Sequence, residues 1–266
     1  IGNKIKLPFP SVGATENILM ASVLAKGETK ISNAAREPEI EDLSNCLIKM
    51  GAKIEGHGTK TILVQGVTKL KKAEHEIISD RIVAGTYIIA ALMLNSVLEI
   101  NNFNTIYLKS LIDILKKMGA KLKVSKNSIK VFKGSKLKST SLSTSPYPGF
   151  PTDLQAQLMS LMCISDGKSK IKETIFENRF MHVPELNRLG ANITVEKDTA
   201  TIIGNQTFKG AQVMASDLRA SISLVLAAMN ANGQTTLNRV YHLDRGYENI
   251  EKTLGSLGVK IKRQKN

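Results

Sequence analysis

Leu115-Lys-Lys-Met118-Gly119-Ala120-Lys-Leu122 is one of four copies of a short pattern in this sequence. The others are Leu47-Ile-Lys-Met50-Gly51-Ala52-Lys-Ile54, Leu186-Asn-Arg-Leu189-Gly190-Ala191-Asn-Ile193 and Leu254-Gly-Ser-Leu257-Gly258-Val259-Lys-Ile261, and the four glycines are 68, 71 and 68 residues apart. Apolar residues three apart before a glycine indicate the end of a helix, because glycine readily adopts the left-handed conformation that closes it. Each copy therefore predicts a helix, a glycine stop and an alternating strand.

A second helix opens each repeat, and the apolar periodicity places these helices at residues 15–24, 80–94, 153–164 and 217–230. Thr or Asp stands at each start, where a side-chain oxygen can cap the first helical turn. Short strands are predicted after these helices and at 4–7, 61–64, 128–131 and 199–203. The predicted fold is α/β (α+β), built from repeated helix-and-sheet subdomains of about 70 residues that must pack together to bury their helices.

Composition narrows the classes of function. The chain has 266 residues, is 42% hydrophobic and carries a net charge of +14, which favours an anionic partner such as nucleic acid, a phosphorylated metabolite or an anionic membrane. The lysines are dispersed and there is no Trp, so a base-stacking platform for nucleic acid is disfavoured and most of the charge is read as solvated surface. Neither a glycine-rich phosphate loop nor Cys or His spacing for a metal is present.

Location is predicted from the absence of targeting signals. No stretch approaches the roughly 18 apolar residues of a membrane span, and residues 1–6 lack the apolar core of a signal peptide. We therefore expect a cytoplasmic protein with no membrane partner. Cys46 and Cys163 each lie in an apolar helical pattern, which is typical of reduced, packed thiols.

Three polar segments are not needed by the helix-and-strand scaffold. In the first, Pro-rich residues 146–151 lead to Asp153, which is either a plain helix cap or a rigidly held general base. The second contains Arg179 and His182, the arginine suited to phosphate or carboxylate and the histidine more simply a packed core residue.

The third consists of two short stretches that each contain an arginine. Arg219 lies beside Asp217 at a helix start, and Arg245 lies before the last helix. Arg179, Arg219 and Arg245 all lie near helix entrances. They either converge on one anion-binding site or are unrelated surface arginines paired with nearby acids.

A weaker signal lies near the start of the chain. Ser11, Val12 and Gly13 are small residues before a helix, where free backbone amides can hold a diphosphate. Glu37 and Glu39 are most simply acids in the first turn of the next helix.

Together these segments resemble the UDP-N-acetylglucosamine 1-carboxyvinyltransferase family over about residues 10–263. The signatures that carry the resemblance are Pro10-Ser-Val-Gly-Ala-Thr15, Asn33-Ala-Ala-Arg-Glu-Pro-Glu-Ile40, Phe150-Pro-Thr-Asp-Leu-Gln-Ala-Gln157, Phe176-Glu-Asn-Arg-Phe-Met-His-Val-Pro-Glu-Leu186 and Asp244-Arg-Gly-Tyr-Glu248.

The resemblance implies a two-domain, inside-out barrel fold with three subdomains in each domain. Residues 1–78 would be the last subdomain of an incomplete first domain, and 79–266 would be the three subdomains of the second. The implied reaction moves the enolpyruvyl group of phosphoenolpyruvate to the 3-hydroxyl of UDP-N-acetylglucosamine and releases phosphate, with no metal or organic cofactor. This is the first committed step of peptidoglycan synthesis, and hence serves cell wall biogenesis, cell shape and cell division.

By matching motif, the resemblance implies a catalytic role for Asp153, Arg245 and Asp217. Asp153 would take the sugar hydroxyl proton, and Asp217 would assist near the reacting carbon. Arg245 would hold the charge of phosphoenolpyruvate together with Arg179 and Arg219. The implied substrate-binding residues are Ser11, Val12, Gly13, Asp153, Ile175, Arg179, Arg219 and Arg245, with Ile175 binding through its backbone.

One part of the family pattern is missing. The family's reactive cysteine loop and its N-terminal Lys and Arg contacts would precede Ile1, and neither Cys46 nor Cys163 matches that motif. We therefore expect little or no transferase activity from this chain alone, with an N-terminal part as its partner. The alternatives are a non-catalytic sugar-nucleotide-binding protein and, with charge as its only support, a basic repeat protein that binds nucleic acid.

Overall fold

The computed structural model of the chain describes residues 1–134 and 136–264. The chain forms two compact units, one made of Ile1–Ser79 with Pro146–Gly149 and the other of Asp80–Ser145 with Phe150–Asn266. The predicted range 79–266 includes Ser135, Lys265 and Asn266, which lie outside the described residues. The assignment of subdomains to a first and a second domain stays a prediction.

The first unit is one βαβαββ repeat. Its elements are β1 (Lys4–Lys6), α1 (Val12–Ser22), β2 (Glu28–Ser32), α2 (Pro38–Lys49), β3 (Lys53–Glu55) and β4 (Thr61–Gln65). The sheet order is β1-β2-β4-β3, with β1 parallel to β2 and the other pairs antiparallel. Ile31, Ile62 and Val64 on the inner face of this sheet pack with Leu19 and Ile40 of the helices.

The second unit holds three further repeats. The first contains α3 (Arg81–Met93), β5 (Leu98–Asn101), α4 (Lys109–Lys117), β6 (Leu122–Val124) and β7 (Ser128–Val131). The second contains β8 (Ser141–Ser143), α5 (Gln155–Ile164), β9 (Lys168–Lys172), α6 (Val183–Arg188), β10 (Asn192–Glu196) and β11 (Thr199–Ile203). The third contains β12 (Gln212–Met214), α7 (Leu218–Met229), β13 (Thr236–Asn238) and α8 (Ile250–Ser256). Their sheet orders are β5-β7-β6, β10-β11-β9-β8 and β12-β13, and none of these sheets closes into a barrel. The predicted mixed helix-and-sheet fold is confirmed.

The centre of the second unit is formed by the first helix of each repeat. Helix α5 packs against both α3 and α7, and nearly all of its residues are buried. This central position explains why α5 is buried on every side. Asp153 lies just before the N-terminus of α5, and Asp217 and Arg219 lie at the N-terminus of α7.

The glycine stops are confirmed in all four repeats. Gly51, Gly119, Gly190 and Gly258 have φ of +99°, +96°, +100° and +94°. In each case the amide after the glycine bonds to a carbonyl five residues back, as Ala120 N does to Leu115 O at 2.9 Å. These bonds satisfy carbonyls that the helix end would otherwise leave unpaired.

The strand predicted after the fourth glycine is wrong. Strands follow Gly51, Gly119 and Gly190, but none follows Gly258 within the described residues up to 264. An alternating pattern forms a strand only where a neighbouring strand supplies the ladder hydrogen bonds. The sheet of this repeat contains only β12 and β13 in the described part of the chain.

Two of the four helices that open the repeats begin with the predicted capping residue. Asp80 accepts hydrogen bonds from Ile82 N and Val83 N, and Asp217 accepts from Arg219 N and Ala220 N. The predicted start at Thr15 is wrong, because Ser11 caps α1 and Thr15 lies buried inside the helix. Its hydroxyl accepts a hydrogen bond from Ala35 N at 3.0 Å, which explains a polar residue at a buried position.

Among the helices in residues 1–134 and 136–264, none is long and apolar enough to cross a membrane. Cys163 is buried in α5 and Cys46 is half-buried in α2, and both are free thiols. Burial raises the pKa of Cys163 to about 12, so this thiol is an inert packing residue.

Candidate active site

Asp153 lies in a single 3₁₀ turn, Thr152–Leu154, immediately before α5. Its carboxylate makes no capping hydrogen bond to this turn or to α5, so the interpretation of Asp153 as a plain helix cap is wrong. The helix begins at Gln155 instead. The carboxylate is therefore available to other side chains.

Two arginines from distant parts of the sequence meet at this carboxylate. Arg179 Nη2 donates to Asp153 Oδ1 at 3.0 Å, and Arg219 Nε donates to the same oxygen at 2.5 Å. Both contacts are charge-assisted hydrogen bonds, which are the stronger class. Within the described residues no hydrogen bond to Asp153 Oδ2 occurs, so one carboxylate oxygen remains open to a ligand.

The Arg179 side chain is the more enclosed of the two arginines, with 16% of its surface exposed against 32% for Arg219. Its guanidinium lies 4.5 Å from the centre of the Phe176 ring, within cation–π range. Burial lowers the pKa of Arg179, and the charge of Arg219 lowers it further, while Asp153 acts in the opposite direction. An arginine stays protonated under these conditions, so the site keeps two cations around one carboxylate.

Asp217 organises the start of α7. Burial acts to raise the pKa of this carboxyl, but hydrogen bonds from the amides of Ala220 and Arg219 outweigh it, so the pKa lies below its ordinary value. The Ser216 hydroxyl donates to the other carboxylate oxygen at 3.2 Å. Because Asp217 holds the backbone of Arg219, it fixes where that arginine leaves the helix.

Arg245 is not part of this contact. It ends a 3₁₀ turn, Val240–Arg245, and is exposed with no hydrogen bond to Asp153, Arg179 or Arg219. The next residue, Gly246, packs so closely on Leu218 that a Cβ there would lie 2.9 Å from Leu218 Cδ2. The turn that carries Arg245 is therefore held against the first residue of α7.

His182 is a buried residue with 2% of its surface exposed, in agreement with the simpler of the two interpretations. Burial lowers its pKa to about 4, against the smaller opposing effects of Asp217 and of a hydrogen bond with the Arg179 backbone. A neutral imidazole here adds no third cation beside the two arginines.

In the first unit, Ser11 caps α1 by accepting from Ala14 N at 3.3 Å. Gly13 is exposed, and a Cβ there would meet no atom within 4 Å. Within the described residues the amides of Val12 and Gly13 have no acceptor, as expected for the first turn of a helix. This is an open helix N-terminus of the kind that binds phosphate.

Glu37 does not act as a simple first-turn acid. Its side chain is 8% exposed and accepts from Arg36 N at 3.0 Å and from Tyr147 N at 3.3 Å. Arg36 Nη2 donates to Tyr147 O at 3.0 Å, so both backbone groups of Tyr147 are held by this pair. Glu39 does lie in the first turn of α2.

Glu173 is a residue of the site that the motifs did not single out. Its carboxylate is 4% exposed and accepts from Ile175 N at 2.9 Å and from Phe176 N at 3.3 Å. The amide of Ile175 is therefore occupied, and its carbonyl is the backbone group left for a ligand. The signal was an acid immediately after an alternating strand, at a position that the strand pattern does not need.

Residues 172–181, together with Val195, Lys197 and Asp198, line a cleft of about 930 Å³ in the second unit. Ile175, Phe176 and Arg179 are therefore among the residues that a ligand in this cleft would meet. The described residues contain no group of three or more His, Cys, Asp or Glu side chains arranged to hold a metal ion.

Comparisons with known proteins place this geometry in a family. The model of the EPSP synthase (3-phosphoshikimate 1-carboxyvinyltransferase) family matches residues 2–254. Proteins named UDP-N-acetylglucosamine 1-carboxyvinyltransferase from Pelagibacter ubique and Azorhizobium caulinodans are 52% and 53% identical to the chain, over 99% and 98% of its length. The chain spans 63% and 61% of those two relatives, or about three fifths of their length.

Solved structures agree. The enolpyruvyl transferase NikO from Streptomyces tendae matches with a TM-score of 0.88 and 27% identity, over 96% of this chain and 61% of that one. An EPSP synthase from Acinetobacter baumannii matches with a TM-score of 0.76 and 19% identity, over 99% and 64%, which shows a shared fold. The repeated fold, the family match along nearly the whole chain and these relatives together show that the chain belongs to the EPSP synthase family of enolpyruvyl transferases.

Proposed function

We propose that the chain carries part of the active site of a UDP-N-acetylglucosamine 1-carboxyvinyltransferase, which transfers the enolpyruvyl group of phosphoenolpyruvate to the sugar 3-hydroxyl and releases phosphate. The observation that carries the proposal is the contact of Arg179 and Arg219 with one oxygen of Asp153. The relatives' names supply the substrates.

The chemistry requires a base for the hydroxyl proton and cations for the donor. In the proposed reaction the 3-hydroxyl oxygen adds to C2 of phosphoenolpyruvate while C3 gains a proton, and the tetrahedral intermediate then loses a C3 proton and phosphate. Asp153 Oδ2 would accept the hydroxyl proton, because both arginines bond to Oδ1 instead. Asp217 would act near the reacting carbon.

Arginines would stabilise the anionic donor and the phosphate that leaves. Arg179 and Arg219 already stand 3.0 and 2.5 Å from one oxygen, so they are preorganised for an anion. Within the described residues Arg245 makes no contact with Asp153, and it is exposed, so its proposed role requires its side chain to reach the ligand. In the first unit, the amides after Ser11 would bind the diphosphate.

The substrate proposal is tested by calorimetry of the chain with UDP-N-acetylglucosamine. We expect binding that Asp153→Ala weakens at least tenfold, about 1.4 kcal/mol, with Asp166→Ala as the control because Asp166 is a surface acid in the same unit. Binding unchanged by Asp153→Ala would contradict the proposed site. Salt-sensitive binding of labelled DNA or RNA, with no competition by the sugar nucleotide, would favour the nucleic-acid alternative.

We further propose that catalysis needs more of the protein than this chain, which spans 63% and 61% of the two relatives' length. We expect phosphate release by this chain alone to be negligible. Turnover near that of a full-length relative would refute this expectation. The cytoplasmic location of the protein stays a prediction.

A further inference from the structure

We infer that Glu173 is a positioning residue that orients Arg179 through the Thr152 hydroxyl and, at the same time, fixes the backbone of Ile175. This inference rests on the proposed function, because it matters for a ligand only if Arg179 and Ile175 contact one. It adds to the site a residue with no direct substrate contact.

The geometry consists of four hydrogen bonds to one buried carboxylate. Glu173 Oε1 accepts from Thr144 Oγ1 and Ile175 N, both at 2.9 Å, and from Phe176 N at 3.3 Å. Glu173 Oε2 accepts from Thr152 Oγ1 at 2.9 Å. A carboxylate with 4% of its surface exposed is costly to bury unless its oxygens are satisfied in this way.

The direction of each hydrogen bond is determined by the other partners of the hydroxyls. Thr152 Oγ1 accepts from Arg179 Nε at 3.1 Å, so its own proton points to Glu173. Thr144 Oγ1 accepts from Thr174 N at 2.9 Å, so its proton also points to Glu173. Every hydrogen-bond partner of the Glu173 carboxylate in the described residues is therefore a donor.

The consequence for Arg179 is a two-point attachment. Its Nη2 bonds to Asp153, and its Nε bonds to Thr152, the neighbouring residue in the chain. One bond leaves a planar guanidinium free to turn, whereas two bonds from different nitrogens fix its plane. Glu173 sets the second point by holding the Thr152 hydroxyl in the accepting orientation.

Glu173→Gln tests this arrangement with almost no change of shape. The NH₂ group of the new glutamine must take the place of one carboxylate oxygen. It then faces either the three groups that donate to Oε1 or the Thr152 hydroxyl that donates to Oε2, so two hydrogen-bond donors point at each other in either case. Glu177→Gln is the matched control, because Glu177 is an exposed acid of the same segment. A second pair is Thr152→Val, which removes the hydroxyl at similar volume, and Thr152→Ser, which removes the methyl group and keeps the hydroxyl.

The first readout needs no ligand. In ¹⁵N NMR spectra, the Arg179 Nε–H resonance is expected to be shifted and slow to exchange in the unaltered chain, in Thr152→Ser and in Glu177→Gln. We expect it to lose both properties in Thr152→Val and Glu173→Gln. An Arg179 signal that is the same in all five proteins overturns the inference, whatever the chain binds.

The second readout is a double-mutant cycle in phosphoenolpyruvate affinity, measured with saturating UDP-N-acetylglucosamine. Thr152→Val is expected to weaken binding about fivefold, within the usual range for one hydrogen bond, and to have no further effect when Arg179 is already Ala. An equal loss in both backgrounds would mean a general structural role and would refute the inference. Absence of binding by the unaltered chain would contradict the proposed function, while the NMR comparison still decides the role of Glu173.

Discussion

Replacement of His182 tests how the candidate site keeps its charge balance. Burial lowers the pKa of His182 to about 4 from its ordinary 6.5, so between these values the unfolded chain binds a proton that the folded chain does not. Stability therefore rises with pH across this window and is lost as pH falls from 6.5 toward 4. The difference corresponds to about 3 kcal/mol, since one pKa unit equals about 1.36 kcal/mol.

The assay is urea unfolding at pH 7 and at pH 4.5, followed by tyrosine circular dichroism. Four of the five tyrosines belong to the second unit, so this signal reports mainly on the unit that contains His182. We expect the unaltered chain to lose about 2–3 kcal/mol of unfolding free energy between these pH values through this residue. His182→Gln is expected to reduce that loss, because a glutamine side chain does not take up a proton in this pH range.

Titration of the Asp217 carboxyl does not account for a loss of stability between pH 7 and pH 4.5. Its pKa lies below 3.8 in the folded chain, so its stabilising contribution is complete above the ordinary value and is lost only as pH falls below it. Equal pH dependence in the unaltered chain and in His182→Gln would refute the argument that burial of a neutral imidazole causes the acid sensitivity.

Two further predictions concern the scaffold. Gly119→Ala is expected to lower the free energy of unfolding by about 1 kcal/mol, because the φ of Gly119 is +96°, although space for a methyl group is available. Gly255→Ala inside α8 should be neutral or should raise it by about 0.5–1 kcal/mol. Equal effects of the two substitutions in thermal unfolding would contradict the left-handed stop. Iodoacetamide is expected to modify the half-buried Cys46 well before the buried Cys163, because burial raises the pKa of the Cys163 thiol to about 12. The order of labelling is measured by mass spectrometry of tryptic peptides. Labelling of Cys163 first in the folded chain would refute this prediction.

The repeated architecture was predictable from sequence because its signals are local. A left-handed glycine after two apolar residues closes a helix wherever it occurs, and all four such glycines have φ near +100°. The Asp217 cap is equally local, since it bonds to amides two and three residues away. The strand after Gly258 failed because a strand depends on a partner that its own residues do not specify.

The site is less local. The sequence indicated arginines at helix entrances and an acid at 153, and the family resemblance attached roles to them, but only the fold shows that Arg179 and Arg219 share one oxygen of Asp153 while Arg245 does not. Asp153 and Arg219 are separated by 66 residues in the chain. Nothing in a linear spacing of that length determines a side-chain contact.

The sequence by itself determined the repeats, their glycine stops, the helices that open them and the family, because periodicity and short motifs act over one or two helical turns. The tertiary structure decided that Asp153 is a partner for two arginines rather than a helix cap, and that Glu173 is buried beneath them. The physical reason is that a charged group takes its partners from whatever the fold brings within about 3 Å, and packing of separate repeats sets that distance.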